Sequence, residues 1–311
     1  MSFSYDTKTE CARLALHSKI EALLELSAMA RLNAAMVIRQ QEVRLRFFSE
    51  HPEVIGCVVS LVRFLFSLEC EVRAQKNDQL QIKPVYYMDL PETQAEALFQ
   101  QSGVDPFGQT TQSRDAIFGR LNVPANARAY CRGAFLAAGS VVDPEKSYHL
   151  EIVTKNALDG EILEHVFQNL SIPAKQTRRG DLYVYYLKDS EAISDFMVAI
   201  GASAAMLALE NVKIEKEIHN DINRKSNAEA ANLDKQYRAS LEQIRAIHLL
   251  DEKRGLNNLP DSLCELAEAR LAHPMANLRQ LGETLQPPLG KSGVMHRMRR
   301  ILKEASVWEE E

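Results

Sequence analysis

No run of 18 or more apolar residues occurs in the 311-residue sequence, so no transmembrane helix is expected. The first residues, MSFSYDTKTECARL, lack the charged and apolar regions of a secretory signal. The five cysteines (Cys11, Cys57, Cys70, Cys131, Cys264) are scattered and odd in number, and no pair has metal-ligand spacing. Neither a disulfide framework nor a zinc site is indicated. Basic charge is not in general excess: 37 Lys and Arg stand against 42 Asp and Glu, a net charge of −5. That speaks against general coating of nucleic acid, and only a local basic patch remains as a footprint. The expectation is a soluble cytoplasmic protein, with 46% hydrophobic residues and length for two or three domains.

The local patch lies near the C-terminus. Residues 277–303, NLRQLGETLQPPLGKSGVMHRMRRILK, carry Arg279, Lys291, Arg297, Arg299, Arg300 and Lys303 against one acid, Glu283. The stretch is +5 before His296 is counted, so the rest of the chain is −10. Asn277 is placed to cap a helix, and Gln280 completes a capping box. Leu278, Leu281 and Leu285 give that helix an apolar face. Pro287 and Pro288 end it, since proline cannot donate to the helical ladder. Gly290 starts the next helix. There Val294, Met298, Ile301, Leu302 and Ala305 fall on one face, and Ser292, His296, Arg299, Arg300 and Lys303 on the other. Upstream, Pro260-Asp261-Ser262 opens a helix with Leu263, Leu266, Ala267, Arg270 and Leu271 at helical spacing, ended by His273-Pro274.

Three short helices whose last is basic and exposed match a helix-turn-helix that lays a recognition helix in the major groove of double-stranded DNA. The predicted base readers are Ser292, His296, Arg299 and Arg300. Lys291 and the helix N-terminus are placed to hold a phosphate, because free N–H groups and the helix dipole favour an anion. Arg297, Lys303 and Arg279 are predicted to add backbone contacts. The bland alternative is a solvated charged face.

The rest of the chain reads as a repeat. A helix is predicted over 13–29, strands over 34–39 and 42–48, a helix from Pro52 to about Glu69, and strands over 70–76 and 81–88. A helix from Pro91 to about Gln101 follows. The order is αββαββα. A polar, Gly- and Pro-containing stretch, 105–126, reads as a linker. The same order then returns: a helix over 127–138, strands over 140–142 and 148–154, a helix over 160–170, strands over 174–179 and 182–188, and a helix over 190–202. Val85-Tyr86-Tyr87-Met88 and Val184-Tyr185-Tyr186-Leu187 fall at the same place in both units, which points to internal duplication.

Two such units resemble the LAGLIDADG homing-endonuclease fold, in which paired helices each end in a catalytic acid before glycine. The second unit carries Gly133-Ala134-Phe135-Leu136-Ala137-Ala138-Gly139, with Ala138 in the acid's place. In the first unit the matching positions are taken as Met29 and Ala30. Metal-assisted phosphodiester cleavage needs carboxylates to hold a divalent cation. No catalytic residue, metal or cofactor is therefore expected. Arg44, Arg46, Arg73, Lys76, Arg178 and Arg179 are candidates to line a DNA saddle, although a solvated sheet face is the commoner use of such residues.

Residues 204–248 are mostly helical and charged and read as an exposed linker helix. Asn223, Asn227 and Asn232 are caps, packing anchors or contacts to a partner. Together, the sequence resembles the WhiA family of Gram-positive bacteria. The carrying residues are Arg132-Gly133-Ala134-Phe135-Leu136-Ala137-Ala138-Gly139-Ser140, then Asn223-Arg224, Asn227, Glu229 and Ala231-Asn232. In the last segment they are Ala269-Arg270-Leu271, His273-Pro274, Leu278, Leu281-Gly282-Glu283, Pro287-Pro288, Lys291-Ser292-Gly293-Val294 and His296-Arg297. Gly290 and Met295 depart from the family's usual serine and asparagine. Met295 lacks an amide, so target preference would differ if that position reads a base.

The resemblance implies an α+β fold: a duplicated αββαββα LAGLIDADG-like domain followed by an all-α helix-turn-helix domain. The expected boundaries are 1–203 (repeats 13–103 and 127–203, linker 104–126), a helical linker over 204–258 and a DNA-binding domain over 259–311. It also implies a non-catalytic, nucleoid-associated DNA-binding protein tied to cell division, chromosome segregation and transcription regulation. DNA would be held through residues 277–305, including Met295. Two other readings stay open: a hub with a protein partner and weak DNA binding, and an active nuclease.

Overall fold

The computed structural model describes residues 2–15, 18–39, 42–75, 84–102 and 111–309. The chain divides into two compact units, Met1–Lys216 and Glu217–Glu311. No helix among the described residues is long and apolar enough to cross a membrane.

The first unit begins with α1 (Phe3–Ala12), capped by the Ser2 hydroxyl, which accepts from the Tyr5 amide. The sequence reading places no helix there and starts its first helix at residue 13. Instead α2 runs Lys19–Asn33, because the Ser18 hydroxyl caps it by accepting from the Glu21 amide at 3.1 Å. Then follow β1 (Ala34–Arg39), β2 (Glu42–Ser49), α3 (Pro52–Phe66), β3 (Arg73–Gln75), β4 (Val85–Pro91) and α4 (Glu92–Ser102). The expected strands over 70–76 and 81–88 are thus shorter and shifted, and residues 76–83 lie outside the described residues.

The stretch read as a polar linker holds α5 (Thr111–Leu121), and the next helix, α6 (Pro124–Ala138), already starts at Pro124. Ile117 and Leu121 of α5 are buried, which is why the segment folds on the core despite its polarity. Next come β5 (Gly139–Val141), β6 (Leu150–Thr154), α7 (Ala157–Asn169), β7 (Lys175–Arg179), β8 (Leu182–Leu187) and α8 (Ser190–Ile200).

Both halves form four-stranded antiparallel sheets with one topology, β1-β2-β4-β3 and β5-β6-β8-β7. The duplicated αββαββα order is therefore borne out, with α1 and α5 as additions. Both tyrosine-pair motifs lie on the equivalent strands β4 and β8. Met88 and Leu187, which close the two motifs, are both buried.

The paired helices α2 and α6 have equal length, 15 residues each. A side chain at Gly133 would overlap the Glu25 carbonyl of α2, so this glycine permits backbone contact between the repeats. Glu25 is 2% exposed and is held by Arg132 of α6 through two hydrogen bonds, 2.6 and 3.0 Å. Burial pushes the Glu25 carboxyl up, and the Arg132 guanidinium pulls it back down.

Helix ends also correct the equivalence between repeats. α6 ends at Ala138 before Gly139, and α2 ends at Asn33 before Ala34. The counterpart of Ala138 is thus Asn33, not Met29. Met29 and Ala30 are buried one turn earlier, among apolar side chains.

α9 runs unbroken from Ser203 to Arg254. It is more than a linker at both ends. Ala205 and Leu209 pack in the core of the first unit, and Ala246, Ile247 and Leu250 pack in that of the second. Residues 217–239 are all exposed. In the second unit α9 is followed by a 3-10 turn (Leu256–Asn258), α10 (Asp261–Ala272), α11 (Leu278–Thr284) and α12 (Lys291–Glu309).

Candidate nucleic-acid interface

The helices α10, α11 and α12 close on a core of Leu263, Leu266, Ala267, Leu281, Leu285, Val294, Met298, Ile301 and Ala305. Two devices hold their turns. Arg270 is 2% exposed, and its guanidinium donates to the carbonyls of Ala276 (2.7 Å), Pro274 (3.2 Å) and His273 (3.4 Å). It clamps the α10–α11 turn, and burial without an acid partner among its described contacts lowers its pKa. Helical spacing places Arg270 on the apolar face. The clamp is not readable from spacing, because it depends on carbonyls that converge only once the turn has formed.

The second device is Gly282. A side chain there would overlap the Leu289 carbonyl, while the Leu289 amide donates to the Gly282 carbonyl at 2.8 Å. The Gln286 amide, beside Pro287 and Pro288, donates to Glu265 at 2.7 Å. The capping box at Asn277 and Gln280 is present in full. These contacts fix where α12 leaves the turn, at Lys291.

α12 has the two faces expected. Val294, Met298, Ile301 and Ala305 are at most 2% exposed, and Leu302 is half-buried. Lys291, Ser292, His296, Arg299, Arg300 and Lys303 are exposed, and Met295 is half-buried beside them. Among the described ion pairs, none involves Lys291, Arg299, Arg300 or Lys303. Four cations in one helix thus have no acid to neutralise them among the described residues.

The remaining candidates sit differently. Arg297 donates to the Ser262 carbonyl at 3.3 Å and pairs with Glu265 at 3.8 Å, so it ties α12 to α10. Arg279 is exposed and pairs with Glu283 one turn on, at 3.3 Å.

The proposed saddle residues are largely compensated. Arg46 makes a two-bonded pair with Asp89 (2.7 and 2.9 Å), Arg44 pairs with Glu42, Arg73 with Glu71, and Arg179 with Glu151. Arg178 stacks on Tyr183, 4.5 Å from the ring centroid. Lys76 lies outside the described residues.

A cleft of about 570 Å³ opens at the end of α2, lined by Asn33, Phe48, Thr154, Lys155 and Asn156 among others. On its wall Arg31 pairs with Asp159, both nearly buried, which joins the two repeats. The Asn33 amide donates to the Phe48 carbonyl at 3.1 Å. Asn33 and Ala138, at the two helix ends, carry no carboxylate.

Three family descriptions match the chain in order. They are the WhiA N-terminal LAGLIDADG-like domain over residues 19–105, the WhiA LAGLIDADG-like domain over 127–219 and the WhiA C-terminal HTH domain over 222–305. The probable cell division protein WhiA of Clostridium botulinum is 35% identical over 313 residues, covering 98% of both chains. That of Clostridium acetobutylicum is 36% identical over 309 residues, again covering 98% of both. In fold, the chain matches the crystal structure of full-length DUF199/WhiA from Thermotoga maritima with a TM-score of 0.59 at 24% identity, over 98% of each chain. With all three domains present in order, and relatives matched over nearly their whole length, this chain belongs to the WhiA family.

Proposed function

We propose that the protein is a non-catalytic, DNA-binding regulator acting in cell division and chromosome segregation. The observation that carries the reading is the exposed face of α12, where Lys291, Arg299, Arg300 and Lys303 stand free of acids among the described residues, on a helix fixed by two tight turns. Arginine can pair with both acceptors of guanine, and lysine or arginine neutralises phosphates. Ser292, His296, Arg299 and Arg300 read base edges in the major groove of duplex DNA, with Met295 beside them. Lys291, at the helix N-terminus, and Lys303 hold phosphates. Arg279 joins them when its exposed pair with Glu283 opens. Arg297 supports the helix from behind and makes no direct contact with DNA. The division role is supported by the names of the relatives, and the site of action is the nucleoid.

Absence of cleavage is supported by Asn33 and Ala138 at the helix ends where the nuclease fold needs acids. The domain plan we favour is a duplicated scaffold, a helical connector and a DNA reader that takes in the last turns of α9.

The test is binding of the full chain and its Arg299→Ala variant to target and random duplexes. The substitution should cost ~1–3 kcal/mol on the target and much less on random DNA. Equal losses on both would remove Arg299 from base readout. Plasmid cut in the presence of magnesium, and left intact with EDTA, would overturn the non-catalytic reading.

A further inference from the structure

The exposed middle of α9 is hard to account for in an isolated chain. Residues 217–239 are all exposed, and Asn220, Asn223, Asn227 and Asn232 within them are poor interior helix residues. A long helix gets most of its stability from packing an apolar face, and every residue of this segment is left exposed, even Leu233 and Tyr237, which border a cavity walled by Pro274 and Met275. Yet it has such a face. Ile218 (54% exposed), Ile222 (57%), Leu233 (66%), Tyr237 (48%) and Leu241 (37%) are large, apolar and uncovered. At 3.6 residues per turn they fall within an arc of about 140° on one side of the helix. Ser226 and Ala230 complete that arc with small side chains.

We propose that this stripe is the surface through which a second copy of the chain binds, with the two α9 helices antiparallel. The spacing is symmetric about a point between Glu229 and Ala230. Antiparallel pairing about that point sets Ile218 against the partner's Leu241, Ile222 against the partner's Tyr237, and Ser226 against the partner's Leu233. A cavity of about 310 Å³ lies beside Leu233 and Tyr237, walled by Pro274 and Met275, and it receives the partner's Ile222. Parallel pairing would instead set Ser226 and Ala230 against their own copies, small against small, and leave a gap at the centre of the contact. Five large side chains about half exposed offer roughly 500 Å² per partner, which over two copies reaches the ~1,000 Å² in total that a specific interface needs. Asn223, Asn227 and Asn232, which border the arc on its two sides, then form the hydrogen-bonding rim of an interface.

The test is sedimentation equilibrium of the full chain without DNA. The expected result is a monomer–dimer equilibrium, with a dissociation constant raised at least about tenfold by Leu233→Glu, which sits on the surface and leaves folding intact. In a second arm, Ala230→Cys should give a cross-linked dimer on mild oxidation, whereas Tyr237→Cys should not, because antiparallel pairing separates the two copies of residue 237. A monomer at every concentration to about 100 µM would overturn the proposal. So would a dimer indifferent to Leu233→Glu. A cross-link formed by the Tyr237→Cys variant but not by the Ala230→Cys variant would overturn the antiparallel arrangement.

Discussion

Lys8 shows how much a single residue can hide from sequence reading. It lies in a polar stretch, yet α1 carries it into the core of the first unit, where its ammonium donates to the Leu136 carbonyl at 3.1 Å. Burial pushes its pKa down to about 8 from the usual 10.5. A base whose folded pKa is lowered destabilises the fold while it must carry its charge. The penalty is complete below about pH 8 and fades as the pH rises toward the unfolded value. Lys8→Met should therefore gain stability relative to the parent at pH 7, and the gain should shrink by about 2 kcal/mol by pH 10, read from denaturant midpoints at each pH. Glu25 is equally silent in sequence, as one acid in a run of leucines, because its partner Arg132 is 107 residues away. Gly133 is legible as a motif residue, but the backbone contact that demands glycine is not.

At the scale of elements, legibility follows local signals. The capping box of α11 and the two faces of α12 are readable because each depends on residues a few positions apart. α1 and α5 escape because their apolar signals are weak: α1 buries Thr7, Lys8 and Cys11, and the short apolar face of α5, Ile117 and Leu121, sits in a polar stretch. The first helix and the acid position of the first repeat are misplaced from sequence because the diverged repeat gives no glycine to mark the end of α2. In α12, spacing alone does not separate Arg297 from Arg300, since the difference lies in the neighbouring α10. Arg297→Ala should lower stability by about 1 kcal/mol through loss of the Ser262 and Glu265 contacts. Arg300→Ala should leave stability unchanged and weaken DNA binding. Thermal melts beside binding isotherms would check the pair, and the reverse pattern would exchange their roles.

For the whole molecule, the order αββαββα repeated twice is visible because hydrophobic periodicity changes at each element boundary, and both sheets then close with the same strand order. The unit boundary is less visible. It falls inside α9, a continuous helix whose two ends serve different cores and whose middle serves neither. The compensated arginines of the sheets and the acid-free face of α12 are what favour the C-terminal unit as the DNA-binding part in the proposed function. The measurement that tests this most directly is fluorescence anisotropy of the full chain on pooled genomic duplexes across a salt series, beside the Arg299→Ala/Arg300→Ala variant. The expected result is tight, steeply salt-dependent binding, with the variant losing affinity and about one unit of salt slope for each phosphate contact removed. Weak, salt-insensitive binding that the variant leaves unchanged would contradict it and move the function of the chain to its protein partners.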